Sequence, residues 1–145
     1  MEQKLLRKNS DRLQFSTDKT TLSSCDLIYI SSDVATDDEG KSDLTTVRNY
    51  LEICLKYKSL NAIVVVLSQV PPGFTRSYLR PHLNLFYQVE TLIFGRAIER
   101  AANPERYIVG SPEADTLLPK CYRSFLESHG NPPGVKMSYE SAELA

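Results

Sequence analysis

Short apolar runs alternate with amphipathic segments along most of the chain. Four of these runs have the length and composition of buried strands: 25–31, 62–67, 85–89 and 107–110. The second run, Ala-Ile-Val-Val-Val-Leu, is apolar at every position, which is typical of a central strand in a parallel sheet covered on both faces. Weaker strand patterns lie at 13–15 and 135–137.

Helices are predicted between the strands. The first is capped by Ser42 or Asp43 and runs to about Tyr57, because its apolar residues recur at three- and four-residue steps. A later helix has Ser111 as its predicted cap and a proline in its first turn. Three helices are predicted after the first: 74–79, 95–102 and 112–129.

This alternation predicts one α/β domain over residues 1–145, with a Rossmann-like parallel sheet and helices on both faces. A last helical pattern begins at Ser138 or Ser141. No partner for this helix is visible in the sequence, which indicates that the domain is truncated.

Composition excludes several classes of function. The formal net charge of −1 gives no electrostatic basis for binding nucleic acid or an anionic membrane. The longest apolar run is too short to span a bilayer, and the charged N-terminus lacks the apolar core of a signal peptide, so a cytoplasmic location is expected. Three widely spaced cysteines and two histidines predict neither a disulfide framework nor a metal site.

Polar loops follow the first three strong strand runs, at Ser32–Thr36, Ser68–Gly73 and Glu90–Gly95. Ligands of open α/β sheets bind outside the carboxyl ends of the strands, where such loops meet. The helix N-terminus after Gly73 would also favour an anion. Polar loops are common at this position, so the pattern alone leaves a nucleotide site open.

Five segments resemble motifs of the UDP-glucose/GDP-mannose dehydrogenase family in the same order and spacing. Residues 25–30 with 36–44 are similar to its strand, Thr-Pro-Thr-like loop and DGxxDL helix start, and 68–76 to its STVPxGTTR segment. The other three are similar to NPEFLxEGxAI, NPxRxxIG and the start of the long helix that leaves the domain: 87–98, 103–110 and 138–145.

The resemblance implies a reaction and a set of roles. The family uses two NAD molecules to oxidise the C6 alcohol of a nucleotide sugar to a carboxylate, and Glu90 corresponds to a glutamate that positions water or acts as a base in thioester hydrolysis. The resemblance implies UDP-glucose or a similar nucleotide sugar as partner, and a homo-oligomer. It places eight residues against NAD: Ser32, Asp33, Val34, Ala35, Thr36, Ser68, Gln69 and Val70. It places five facing the sugar: Glu90, Thr91, Leu92, Ile93 and Phe94.

The sequence departs from the family pattern in two ways. Ala35 replaces a proline, Gln69 a threonine, Gln88-Val89 an Asn-Pro pair and Phe94 a second glutamate. A Gly-rich pyrophosphate turn is absent, since the first glycine is Gly40 and no G-x-G-x-x-G occurs, so the first βαβ unit is predicted to be missing. The family's nucleophilic cysteine and lysine would follow the last residue. The chain is therefore expected to be inactive alone.

Two alternatives stay open at this point. A domain lacking its first βαβ unit would expose an apolar sheet edge and could serve as an oligomerisation or partner-binding module without catalysis. The substitutions at Gln69 and Phe94 also leave open a related dehydrogenase that acts on another hydroxy acid.

Overall fold

A five-stranded sheet forms the centre of the computed structural model, which describes residues 2–91 and 95–145. The strands lie side by side in the order in which they occur along the chain: β1 Leu27–Ile30, β2 Ile63–Val66, β3 Leu85–Gln88, β4 Tyr107–Ser111 and β5 Gly134–Ser138. The α-helices are α1 Glu2–Lys8, α2 Thr45–Tyr57, α3 Phe74–Ser77, α4 Ala97–Ala102, α5 Lys120–Glu127 and α6 Tyr139–Leu144. Short 3-10 helices lie at Ser10–Arg12 and Lys19–Ser24.

The sheet is mainly parallel. Strands β1, β2 and β3 are parallel to one another, and β5 is parallel to β4. The pairing of β3 with β4 is antiparallel, so the expectation of a parallel sheet is wrong at this one step. A parallel pair would need a crossover connection, usually a helix packed on the sheet, whereas α4, which lies between β3 and β4, buries none of its residues.

Helices cover both faces of the sheet, as predicted. On β2, Val64 and Val66 belong to the core on the side of α2, α3 and α6, whereas Ile63 and Val65 belong to the core beneath α5. All four side chains are buried, which confirms the prediction of a central strand for this run.

The helix predicted after Ser42 or Asp43 is confirmed as α2, but the predicted cap is wrong, because Leu44 holds the N-cap position without a side-chain cap bond. The side chain of Asp43 accepts a hydrogen bond from the backbone N–H of Thr45 at 2.9 Å, which satisfies one free donor at the helix start. Val47 and Leu51 are fully buried against the sheet. The apolar periodicity therefore gave the correct buried face.

Two element predictions are wrong. Residues 13–15 are not a strand, and Phe15 is 85% exposed, because no strand among the described residues pairs with them. The helix predicted over 112–129 begins only at Lys120. Ser111 is instead the last residue of β4, and its hydroxyl donates to Glu113 O at 2.7 Å, within an irregular connection that precedes the helix.

The last helix has a partner, contrary to expectation. It begins as predicted with Ser138 as cap, whose hydroxyl oxygen accepts from Ser141 N. Tyr139 and Ala142 are buried against β3 and β4. A Cβ atom on Gly110 would lie 2.8 Å from Ala142 Cβ, which shows how closely α6 approaches the sheet. No helix among the described residues is long and apolar enough to cross a membrane.

Candidate functional site

The carboxyl ends of β1, β2 and β3 lie at one rim of the sheet because these strands are parallel. A cleft of about 420 Å³ opens at this rim. Its walls come from the loops after all three strands and from the C-terminal end of α6. Five of the predicted site residues line it: Val34, Thr36, Gln69, Val70 and Glu90.

Thr36, Gln69 and Glu90 come from three different loops and meet in this one cleft. The nucleotide site predicted from the sequence requires these three residues to share one cavity, because only then can a single ligand contact all three. The structure brings them together.

The other predicted residues that the structure describes do not line the cleft. Ser68 is buried, and its hydroxyl lies 3.3 Å from that of Ser32 and 3.4 Å from Ile30 O, so these serines join the ends of β1 and β2. Asp33 is exposed, and Thr91 borders a separate pocket on the α5 side. The other three predicted sugar-facing residues lie outside the described residues: Leu92, Ile93 and Phe94.

A small hairpin-like loop presents Thr36 to the cleft. Thr36 forms an antiparallel bridge with Ser42, and their hydroxyl oxygens are 3.3 Å apart. Ala35 O accepts from Asp43 N at 2.8 Å, so this carbonyl is already bonded within the protein. Asp37 Oδ1 accepts from Lys41 N at 2.8 Å, which closes the loop. The described residues contain no cluster of three or more metal-ligating side chains.

The second loop is held by a residue that the sequence analysis missed. Glu143 on α6 accepts hydrogen bonds from Gly73 N at 2.6 Å and from Thr75 N at 2.8 Å. Gly73 has φ +88°, a conformation that glycine adopts without strain. The anion expected at this helix start is therefore a carboxylate of the chain itself. Nothing in the local pattern signals a contact between residues 70 positions apart.

Glu90 borders both the cleft and the pocket on the α5 side. Partial burial raises the pKa of Glu90 above its usual value of 4.5, since removing water disfavours the charged form. A carboxylate with a raised pKa is a stronger base once ionised.

The strand end before Glu90 is anchored by a buried amide. Gln88 Oε1 accepts from the hydroxyl of Tyr29 at 3.0 Å and from that of Tyr122 at 2.8 Å. Burial raises the pKa of both tyrosines, so both remain protonated donors. These two bonds give the Gln88 amide a structural role.

Comparison with known proteins gives a consistent result. The family model described as "UDP-glucose/GDP-mannose dehydrogenase family, NAD binding domain" matches residues 1–125. UDP-glucose 6-dehydrogenase AglM of Haloferax volcanii is 26% identical over 155 residues, which cover 95% of this chain and 36% of that protein.

Solved structures show the same fold. A GDP-mannose dehydrogenase from Pseudomonas aeruginosa superimposes with a TM-score of 0.76 at 20% identity, over 97% of this chain and 36% of that one. A UDP-glucose dehydrogenase from Pyrobaculum islandicum gives a TM-score of 0.72 at 22% identity, over 94% and 34%. The chain thus spans about a third of the length of these relatives.

Proposed function

This chain belongs to the UDP-glucose/GDP-mannose dehydrogenase family, and we propose that its cleft receives the nicotinamide end of NAD and presents it to a nucleotide sugar. The cofactor of the matched domain is NAD. The observation that supports the proposal is the meeting of Thr36, Gln69 and Glu90 in one cleft at the carboxyl ends of parallel strands.

The residues of the cleft fit this part of the cofactor. A volume of about 420 Å³ lies in the range of small-molecule sites. The Thr36 hydroxyl and Gln69 amide offer hydrogen-bond partners for a carboxamide and ribose hydroxyls, and Val34 and Val70 offer apolar surface to a planar ring. NAD, when bound, supplies the hydride acceptor.

The reaction proposed for the whole protein is oxidation of the sugar C6 alcohol of a UDP- or GDP-sugar to the carboxylate. In it, Glu90 would position water or act as a base, and residues 90–94 would face the sugar. The sequence contains no Gly-rich pyrophosphate turn. We therefore propose that the chain alone has little or no turnover, because no such turn is present to hold the pyrophosphate of the cofactor.

The roles of the loop residues differ. Ser32 and Ser68 bond to each other and would shape the rim next to the cofactor. Residues 33–35 would contact NAD mainly through their backbone, except that Ala35 O is already occupied by Asp43 N. This leaves Thr36 as the main polar contact from the first loop.

A titration of the isotope-labelled chain with NAD, followed by NMR, tests the proposal. Shifts are expected at Thr36, Gln69 and Val70, at millimolar NAD because part of the cofactor's site is lacking. Gln69→Ala should weaken the response, whereas Gln14→Ala, an exposed glutamine outside the cleft, should leave it unchanged. Shifts confined to other parts of the sheet would rule the cleft out.

One observation favours a second candidate, an oligomerisation module. Strand β1 pairs only with β2 among the described strands, so its other edge is open. An apolar groove of about 420 Å³ beside this edge is lined by Leu22, Ile28, Tyr50 and Ile53. Open edges favour strand addition. Sedimentation that shows a monomer at high concentration would count against this candidate.

A further inference from the structure

Helix α6 is fastened to the cleft by its charged side chains. The Glu140 carboxylate forms a two-point ion pair with Arg76 through Nε and Nη2, and Arg76 Nη2 also donates to Pro112 O at 3.0 Å. One turn later, the two oxygens of Glu143 each accept one backbone N–H, from Gly73 and Thr75. Helix α6 therefore contacts the Arg76 side chain of α3 and also the backbone N–H groups at the start of α3.

The backbone contact matters more for the cleft. The turn held by Glu143 comprises residues 71–75. Gln69 and Val70 come directly before this turn and line the wall of the cleft, and Glu143 lines the same cavity. A carboxylate that accepts two N–H groups forms stronger bonds than a neutral acceptor and fixes the turn in one geometry. Within the turn, Phe74 N also donates to Pro71 O at 3.1 Å, but it is the two bonds to Glu143 that tie the backbone of the turn to α6.

Helix α6 itself is firmly seated, so it can act as a fixed support. Tyr139 is fully buried, and its hydroxyl donates to Leu85 O at 2.6 Å. Ala142 lies directly against Gly110 of β4. The position of Glu143 is therefore set by the sheet and not by the loop that it holds.

The geometry points to Glu143 as a positioning residue for the cofactor cleft: its carboxylate holds the 71–75 turn and thereby places Gln69 and Val70 against the nicotinamide end of NAD. This inference rests on the function proposed above. Because the N–H groups of Gly73 and Thr75 already donate to the Glu143 carboxylate, they are not available to bind a phosphate.

Amide hydrogen exchange in the free chain is the first test, since it requires no NAD. In Glu143→Gln, the Gly73 and Thr75 amides should exchange roughly tenfold faster or more, because one acceptor oxygen and the charge are lost. The matched control is Glu140→Gln, which removes the neighbouring ion pair of the same helix but no bond to these amides. Unchanged exchange in Glu143→Gln would overturn the inference.

The second test is NAD titration of the same proteins. Glu143→Gln should reduce the NAD-induced shifts at Gln69 and Val70, whereas Glu140→Gln should retain them. If the two variants give equal NAD-induced shifts at Gln69 and Val70, the hydrogen bonds of Glu143 have only a structural role and the positioning role is overturned. If the unsubstituted chain shows no shifts with NAD, the proposed function fails, and the exchange rates still decide whether Glu143 holds the turn.

A measurement on the unsubstituted chain covers the case in which the variants do not fold. A through-hydrogen-bond NMR coupling between the Glu143 carboxylate carbon and the Gly73 amide nitrogen is expected. Its absence, together with rapid exchange of the Gly73 amide, would contradict the assignment.

Discussion

Tyr122 on α5 donates its hydroxyl hydrogen bond to Gln88 Oε1 across 2.8 Å, at the end of the strand that leads into Glu90. Tyr29 donates to the same oxygen from β1. One amide oxygen therefore ties two strands and a helix together on the α5 side of the sheet, in a core where an unpaired polar atom is costly.

Removing one of these hydroxyls should destabilise the chain moderately. Tyr122→Phe is expected to lower the free energy of unfolding by about 1 kcal/mol, because Tyr29 still satisfies the amide oxygen. The double change with Tyr29→Phe should cost more than the sum of the two single changes, since the oxygen is then unsatisfied. Urea unfolding measures all three, with the exposed Tyr50→Phe as control. Additive losses would contradict this network.

The contact between Gly110 and Ala142 predicts a steric effect. Gly110→Ala would place a methyl group 2.8 Å from Ala142 Cβ and 3.2 Å from Tyr139 Cα, so α6 must shift. The expected loss of unfolding free energy is about 1–3 kcal/mol. Gly134→Ala is a suitable control, because a Cβ atom there meets nothing within 4 Å. Equal stability of the two variants would show that α6 is not seated as described.

The Arg76–Glu140 pair predicts a pH dependence. The hydrogen bond from Arg76 lowers the pKa of Glu140 from 4.5 to about 2. A carboxyl group whose pKa is lowered by folding stabilises the protein above its unfolded pKa and loses this contribution as the pH falls through the folded value. Melting temperatures between pH 5 and 2 should therefore fall more steeply for the natural chain than for Glu140→Gln. Parallel curves would contradict the pairing.

The pKa of Glu90 is expected to shift in the opposite direction on folding, to a higher value. Partial burial raises the pKa of Glu90 above 4.5, so its ionised form opposes folding as the pH rises through the folded value. NMR titration of its carboxyl carbon should give a midpoint above that of the same carbon in the urea-unfolded chain. A midpoint equal to or below the unfolded value would remove the evidence for a basic carboxylate at the rim.

The gathering of Thr36, Gln69 and Glu90 was predictable from the sequence, because the carboxyl ends of successive parallel strands meet at one rim. The central position of β2 followed from its unbroken apolar run. The contact of Glu143 with Gly73 was not predictable, since it depends on where the chain packs and not on local pattern.

Strand β4 was predicted at 107–110, but its antiparallel direction relative to β3 was not, for a similar reason. The segment at 97–102 has helical character, but the sequence pattern did not reveal that this helix buries none of its residues. Residues 13–15 have a composition that favours a strand, but a strand forms only where another strand pairs with it.

The central claim is that the cleft between Thr36, Val70 and Glu90 receives the nicotinamide ring. Intermolecular nuclear Overhauser effects between the ring protons of NAD and the methyl groups of the labelled chain test it directly. The account predicts effects from Thr36 and Val70, and none from methyl groups in the groove beside β1 such as Ile53. Ring-proton effects confined to that groove, with none at Thr36 or Val70, would contradict it.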